Sequence, residues 1–196
     1  ASMSFTSLND GTTKGSRART LALASAILLL RGGERVGLTG NVLPPPRDEV
    51  PVAQMAALLS QAHTDHFGTP DATGMVSHSR ALFVSDFMGD LTGIETAMAK
   101  AADRDVRGAL IQILDPSEEA FPFDGRTIFE SMSGTMRHET LKARDLRDRY
   151  LDRLAQRKDH LASLARAAGW QYNTHHTDTP AASALLWIYT ALERRA

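Results

Sequence analysis

Cysteine is absent from the 196 residues, which excludes a disulfide framework, thiolate zinc sites and cysteine nucleophiles together. The absence fits a reducing compartment. Neither sign of charge is in excess, because 22 Lys and Arg stand against 23 Asp and Glu, for a net charge of -1. A nucleic-acid polyanion or an anionic membrane is therefore not an expected partner. Long apolar runs are also missing. The most apolar stretch, Leu21–Leu30, is too short to span a bilayer, and its Ala and Ser content and polar flanks favour a buried helix. The chain opens on Ala1-Ser2-Met3 with no charged n-region and apolar h-region. No signal peptide or membrane insertion is expected, and a cytoplasmic location is.

What is present is ordinary for a soluble globular domain: 42% apolar and 23% charged residues, in a length that suits one domain over residues 1–196. Ala81–Val84 is an unbroken β-favourable apolar run that stops at Ser85-Asp86. Such a run predicts a strand buried on both faces, hence a parallel sheet covered by helices. Ligands of such sheets collect outside the carboxyl ends of the strands. Gly108–Leu114 predicts the next buried strand, ended by Asp115-Pro116.

Ser16 is placed to cap a helix over Arg17–Arg31 that stops at Gly32-Gly33. Glu34–Leu38 predicts a short strand, followed by a turn at Thr39-Gly40-Asn41. Pro44-Pro45-Pro46 marks an exposed connection, and Asp48 starts a helix with Val52, Met55, Ala56 and Leu59 on one face. His63–Ser79 is a polar connection. Thr92 caps a helix from Gly93 to Asp103, with Asp90 as a turn or cap residue before it. Phe121–Leu141 has no helical period and predicts a β-excursion with strands at Thr127–Glu130 and Met136–Thr140. Arg144–Ala168 is the clearest helix, with Leu146, Tyr150, Leu154, Leu161, Leu164 and Ala168 in one stripe. Gly169 closes it. Trp170–Thr174 is a short strand, and Thr179-Pro180 begins a last helix carrying Leu185, Leu186, Ile188, Tyr189 and Leu192. Strands alternating with helices in this way predict an α/β fold with right-handed crossovers.

Three places carry a family resemblance. Ser2-Met3, then Lys14, Ala18 and Leu21-Ala22, then Leu30–Leu38 resemble the opening of a von Willebrand factor A-type domain. Phe83-Val84-Ser85-Asp86-Phe87 is similar to that fold's fourth strand and metal loop. Leu114-Asp115-Pro116 with Glu118-Glu119, then Arg147, Tyr150 and Thr177-Asp178, resemble the bacterial branch called domain of unknown function 58. The resemblance spans nearly the whole chain and rests on the order and spacing of short motifs.

It implies a three-layer α/β domain with a mostly parallel central sheet and helices on both faces. It also implies a metal-ion-dependent adhesion site, Asp-x-Ser-x-Ser with a Thr and an Asp from later loops. Such a site can hold Mg2+ or Mn2+ through oxygen ligands and leave a position for a partner's carboxylate. Here Ser2 matches the last Ser, Asp86 the third-loop Asp, and Thr69 the Thr, with Thr64 and Thr73 as alternatives. The motif's Asp, its first Ser and the strand before them have no counterpart in the chain, so the site is degenerate or truncated and weak affinity is expected. The implied function is a non-catalytic protein-binding adaptor that works with a MoxR-type AAA+ ATPase.

The competing reading is a metal-dependent hydrolase using Asp86, Asp115 and His175, all at predicted carboxyl ends of strands. His63 with His66, and His175-His176 beside Asp178, are conceivable zinc ligands. Adjacent histidines in a strand point to opposite faces, and solvated loop histidines are the simpler account. Ser85 lacks the Gly-x-Ser-x-Gly elbow of a nucleophile, and Gly32-Gly33 stops a helix rather than cradling a phosphate. The Asp and Arg residues of Arg144–Arg166, such as Asp145/Arg149, make a solvated salt-bridged face, with a partner-docking surface as the sharper alternative.

Overall fold

The computed structural model describes residues 2–39, 52–60, 72, 74–124, 127–130, 137–140 and 144–193. The two apolar runs form β1 (Arg80–Ser85) and β2 (Arg107–Leu114), which pair in parallel with Phe83 opposite Leu110 and Ser85 opposite Gln112. On its other side β2 pairs in parallel with β5 (Gln171–His176), giving the strand order β1-β2-β5. Among the described strands only β2 is flanked on both sides, and it is buried from Gly108 to Leu114, as a mostly apolar run demands. Gly108 lies opposite Ala81, and a Cβ there would collide with the Ala81 carbonyl. The absence of a side chain therefore lets the two strands approach.

Side chains of β2 alternate between two cores. Leu110 joins Phe83, Ile94, Met98, Leu161 and Trp170 on the face covered by α3 (Thr92–Ala102) and α5 (Arg144–Ala167). Ala109, Ile111 and Ile113 join Leu21, Ala184 and Ile188 on the face covered by α1 (Lys14–Arg31) and α6 (Ala181–Glu193). The Trp170 ring packs 5.0 Å from Phe83, and its indole N–H donates to Val106 O at 2.9 Å. Two short strands, β3 (Thr127–Glu130) and β4 (Arg137–Thr140), form a separate antiparallel pair, as the β-excursion predicts. No helix among the described residues is long and apolar enough to cross a membrane.

The structure corrects the predicted elements in several places. Thr92 is the first residue of α3 rather than its cap, and of β1 only Phe83 is buried where burial on both faces is expected. Helix α1 begins at Lys14, not Arg17, because the Thr13 side chain caps it by accepting from Ser16 N–H at 3.0 Å, while the Ser16 hydroxyl donates back to Thr13 O at 2.8 Å. Glu34–Leu38 is irregular and mostly exposed. Val36 and Leu38 alternate as in a strand, yet no described strand pairs with them. Asp115-Pro116 does not simply end β2 but opens a short helix, α4 (Pro116–Ala120). Strand β5 continues to His176, two residues past Thr174, which carries the histidine pair into the sheet. Helix α2 (Val52–Ser60) buries Met55 as expected. The predicted features at 40–51, and residues 63–71 and 73 of the His63–Ser79 connection, lie outside the described residues.

Candidate functional site

The three parallel strands end at one edge, where Asp86 follows β1, Asp115 follows β2 and His175-His176 close β5. Asp86 is buried just beyond β1. Its Oδ1 accepts from Met88 N–H at 3.1 Å, and Phe87 N–H donates to Ser85 Oγ at 3.2 Å. Between them Phe87 is held at a φ of 51°, a left-handed conformation that a bulky side chain rarely adopts. Two side chains hold this turn. Gln112, fully buried in β2, donates to Asp86 O at 2.8 Å and accepts from the Tyr172 hydroxyl at 2.6 Å. Arg157 of α5 donates to Phe87 O at 2.6 Å and Gly89 O at 2.7 Å.

The remaining oxygen of Asp86 belongs to Lys14. Lys14 is the first residue of α1; its N–H donates to Phe5 O at 3.4 Å and its side chain is 1% exposed. Its ammonium donates to Asp86 Oδ2 at 3.0 Å and to Glu118 Oε1 at 2.6 Å. Burial pushes the Glu118 carboxyl above its usual range, against the pull of Lys14. Tyr150 of α5 lies nearby, and burial, reinforced by the Glu118 and Asp86 charges, pushes its hydroxyl up to about 12.

Asp115 is fully buried and caps α4. Its Oδ1 accepts from Ser117 N–H at 2.9 Å and the Ser117 hydroxyl at 2.7 Å, and also from the Ser7 hydroxyl; its Oδ2 accepts from Ser7 N–H at 2.7 Å. Glu118 reciprocates by accepting from Asp115 N–H at 2.8 Å, which completes a capping box. Burial alone would raise the Asp115 carboxyl, but the hydrogen bonds from Ser7 and Ser117 outweigh it and hold the group below its usual range.

The adjacent histidines face opposite ways. His175 Nε2 receives Arg17 of α1 at 2.9 Å and its Nδ1 lies 3.1 Å from Thr179 Oγ1. Arg17 also donates to Thr177 O at 2.8 Å and to Thr179 O, clamping the loop before α6. His176 Nε2 lies 2.7 Å from Glu119 Oε2, and Lys158 pairs with the other Glu119 oxygen. Burial, then the Arg17 charge, lowers His175 to about 4 from an ordinary 6.5, so it is neutral and accepts from Arg17. A histidine whose pKa is depressed by folding takes up its proton first in the unfolded chain. Stability therefore falls as pH drops from about 6.5 to about 4 and levels off below. The expected loss is on the order of 3 kcal/mol, measurable by urea unfolding across that range. His175→Gln should remove most of the slope; an unchanged slope would show that His175 is not its source.

Of the predicted metal residues, Ser2 is half-buried in a helical turn, Ser2–Ser4, that packs on the start of α1, where the Met3 carbonyl stands 3.0 Å from the place of a Cβ on Gly15. Thr69 lies outside the described residues, as do Thr64, Thr73, His63 and His66. Asp86 is brought to Lys14. A divalent ion needs several oxygen ligands free to face it, and the described residues do not fit one: an ion on Asp86 Oδ2 would sit beside a full ammonium charge. Among the described residues, no group of three or more His, Asp and Glu is arranged to hold a metal ion. Asp86, Asp115 and His175 share the sheet edge, but each has its own partners.

Sequence reasoning placed Asp90 correctly, since its Oδ1 accepts from Thr92 N–H at 3.2 Å and the Thr92 hydroxyl at 2.9 Å. It missed Lys14, Gln112, Arg157, Lys158 and Glu118 as site residues, although all of these but Lys14 leave a trace. Gln112 is the one amide inside an apolar strand. Arg157 and Lys158 fill the gap in the apolar stripe between Leu154 and Leu161, where a core residue is due. Glu118 stands three residues after Asp115, the spacing of a capping box.

Among solved structures, the crystal structure of an uncharacterized membrane spanning protein from Vibrio fischeri aligns over 98% of this chain and 94% of its own, at 16% identity and a TM-score of 0.28. A likeness that slight carries no argument about fold or function. No curated protein matches the chain. The family described as "Protein of unknown function DUF58" matches residues 1–160, a span that runs from the Ser2 turn through α1, β1, β2 and most of α5 and so takes in Lys14, Asp86, Asp115 and Glu118. The chain belongs to the DUF58 family of proteins of unknown function.

Proposed function

We propose that this chain is a non-catalytic, cytoplasmic protein-binding adaptor with a von Willebrand A-like three-layer fold. Its partner is a MoxR-type AAA+ ATPase, and Ser2, Thr69 and Asp86 are the remnant of a degenerate metal-ion-dependent adhesion site. The reading draws its fold and partner from the motif resemblance. Its support in the structure is one observation: both side-chain heteroatoms of Asp86, of Asp115 and of His175 are engaged by the same chain. A general acid, a base or a metal ligand needs an atom open to substrate or ion. Groups tied up in this way fix loop shape instead, and a fixed loop edge is what a docking surface requires.

The test mixes the purified chain with a MoxR-type ATPase from the same genome and follows complex formation by sedimentation velocity with and without ATP. A stable complex, together with no turnover of ester, phosphoester or peptide substrates, is the expected result. Turnover that disappears in Asp115→Asn, or no association with such an ATPase under either condition, would overturn the proposal.

A further inference from the structure

We infer that the sheet edge carries its own cation: the Lys14 ammonium stands where a divalent ion would otherwise bridge Asp86 and Glu118, so the edge is ordered without metal and becomes a metal site only when Lys14 is removed. Asp86 Oδ2, from the loop after β1, and Glu118 Oε1, from α4 after β2, converge on one point. The Lys14 nitrogen fills that point, at 3.0 and 2.6 Å, and is sealed from solvent. Two carboxylates converging in a buried place repel each other unless a cation lies between them. An ammonium fixed on a helix supplies the charge with no ion to lose. The turn around it is held on every side independently of any ion, through Gln112 on Asp86 O, Arg157 on Phe87 O and Gly89 O, and the Asp115–Glu118 capping box.

Truncating Lys14 leaves a hole lined by two carboxylate oxygens, with Asp86 Oδ1 still held by Met88 N–H. That set favours a small hard cation with water completing its shell. The inference concerns ion binding by the chain alone, so it stands or falls whatever the partner of the adaptor proves to be.

The experiment titrates Mn2+ into the wild-type chain, Lys14→Ala and the double variant Lys14→Ala/Asp86→Asn, reading free Mn2+ by electron paramagnetic resonance and Tm with and without EDTA. The wild type should show no saturable site and no change of Tm with EDTA. Lys14→Ala should melt lower, bind Mn2+ more tightly than wild type by about tenfold or more, the scale of removing one like charge from beside the ion, and recover part of its Tm with Mn2+. The double variant should lose both the binding and the recovery. Saturable Mn2+ binding by the wild type that Asp86→Asn abolishes would overturn the inference, and so would a folded Lys14→Ala that binds no ion. If Lys14→Ala does not fold, the wild-type titration with its Asp86→Asn control decides alone.

Discussion

Lys14→Met should destabilise the fold by about 3–5 kcal/mol, the cost of breaking a buried ion pair from one side. The side chains of Lys14 and Asp86 are 1% and 2% exposed, and that of Glu118 is 15%. Water therefore cannot replace the ammonium for Asp86 and does so only in part for Glu118. Methionine matches the length of the lysine stem, so the loss reflects charge and hydrogen bonds rather than a cavity. Urea unfolding should show a lower midpoint at unchanged slope. For a chain of this size each kcal/mol moves Tm by roughly 2–4 °C.

Adding Asp86→Asn and Glu118→Gln to Lys14→Met should restore much of the loss, because neutral amides do not leave a buried charge exposed to its neighbours. A single substitution costing under about 1 kcal/mol, the range of a solvated surface pair, would mean that Lys14 does not hold this edge. Lys14 then also could not act as the resident cation.

How far the sequence led depends on whether an interaction is local. The core strands were readable because β2 lies between two strands and two helical faces, and burial on all sides writes itself as a continuous apolar run. The long helix α5 was readable because its stripe persists for six turns and more of regular period. Glu34–Leu38 misled because alternation at Val36 and Leu38 reports partial burial as well as pairing, and it does not say whether a partner strand exists. Lys14 was opaque for another reason. Its partners lie 72 and 104 residues away, and a lysine in the first turn of a helix otherwise reads as solvated. Asp115 lies between these cases. The string Asp115-Pro116-Ser117-Glu118 has an N-cap residue, proline at the first helical position and glutamate at the third, so α4 was legible in principle. The end of the apolar run at Leu114 simply offered a sufficient reason for the same Asp-Pro pair.

Asp115→Ala should cost about 3–4 kcal/mol, more than an ordinary helix cap. Loss of a cap alone is worth about 1 kcal/mol, and this carboxylate does more than cap. It holds Ser7, 108 residues away in sequence, through both the Ser7 N–H and its hydroxyl, together with the N–H and hydroxyl of Ser117. Alanine leaves the buried Ser117 donors unsatisfied, at about 1–3 kcal/mol each, whereas those of the exposed Ser7 turn to water. Asp115→Asn keeps one acceptor oxygen and should lose about half as much. Hydrogen exchange separates the two roles: releasing Ser7 should raise exchange through residues 5–12, whereas a lost cap should raise it only in α4. Ser7→Ala should reproduce the first effect without the second.

The pH dependence provides an independent check on the sign. The Asp115 carboxyl is held below its ordinary value of 3.8, so the unfolded chain takes up the proton first as pH falls, and the stabilisation present at neutral pH is lost on acidification through and below that value. This window lies under the His175 window, which runs from about 6.5 to about 4. Acid unfolding should therefore weaken the fold in two stages, each shared with other groups. His175→Gln should reduce the upper stage, to which the lowered His176 also contributes, and Asp115→Asn the lower, to which the lowered Asp10, Asp90 and Asp105 also contribute. A lower stage left unchanged in Asp115→Asn would show that its ionised form is not what joins the Ser7 segment to the edge of the sheet.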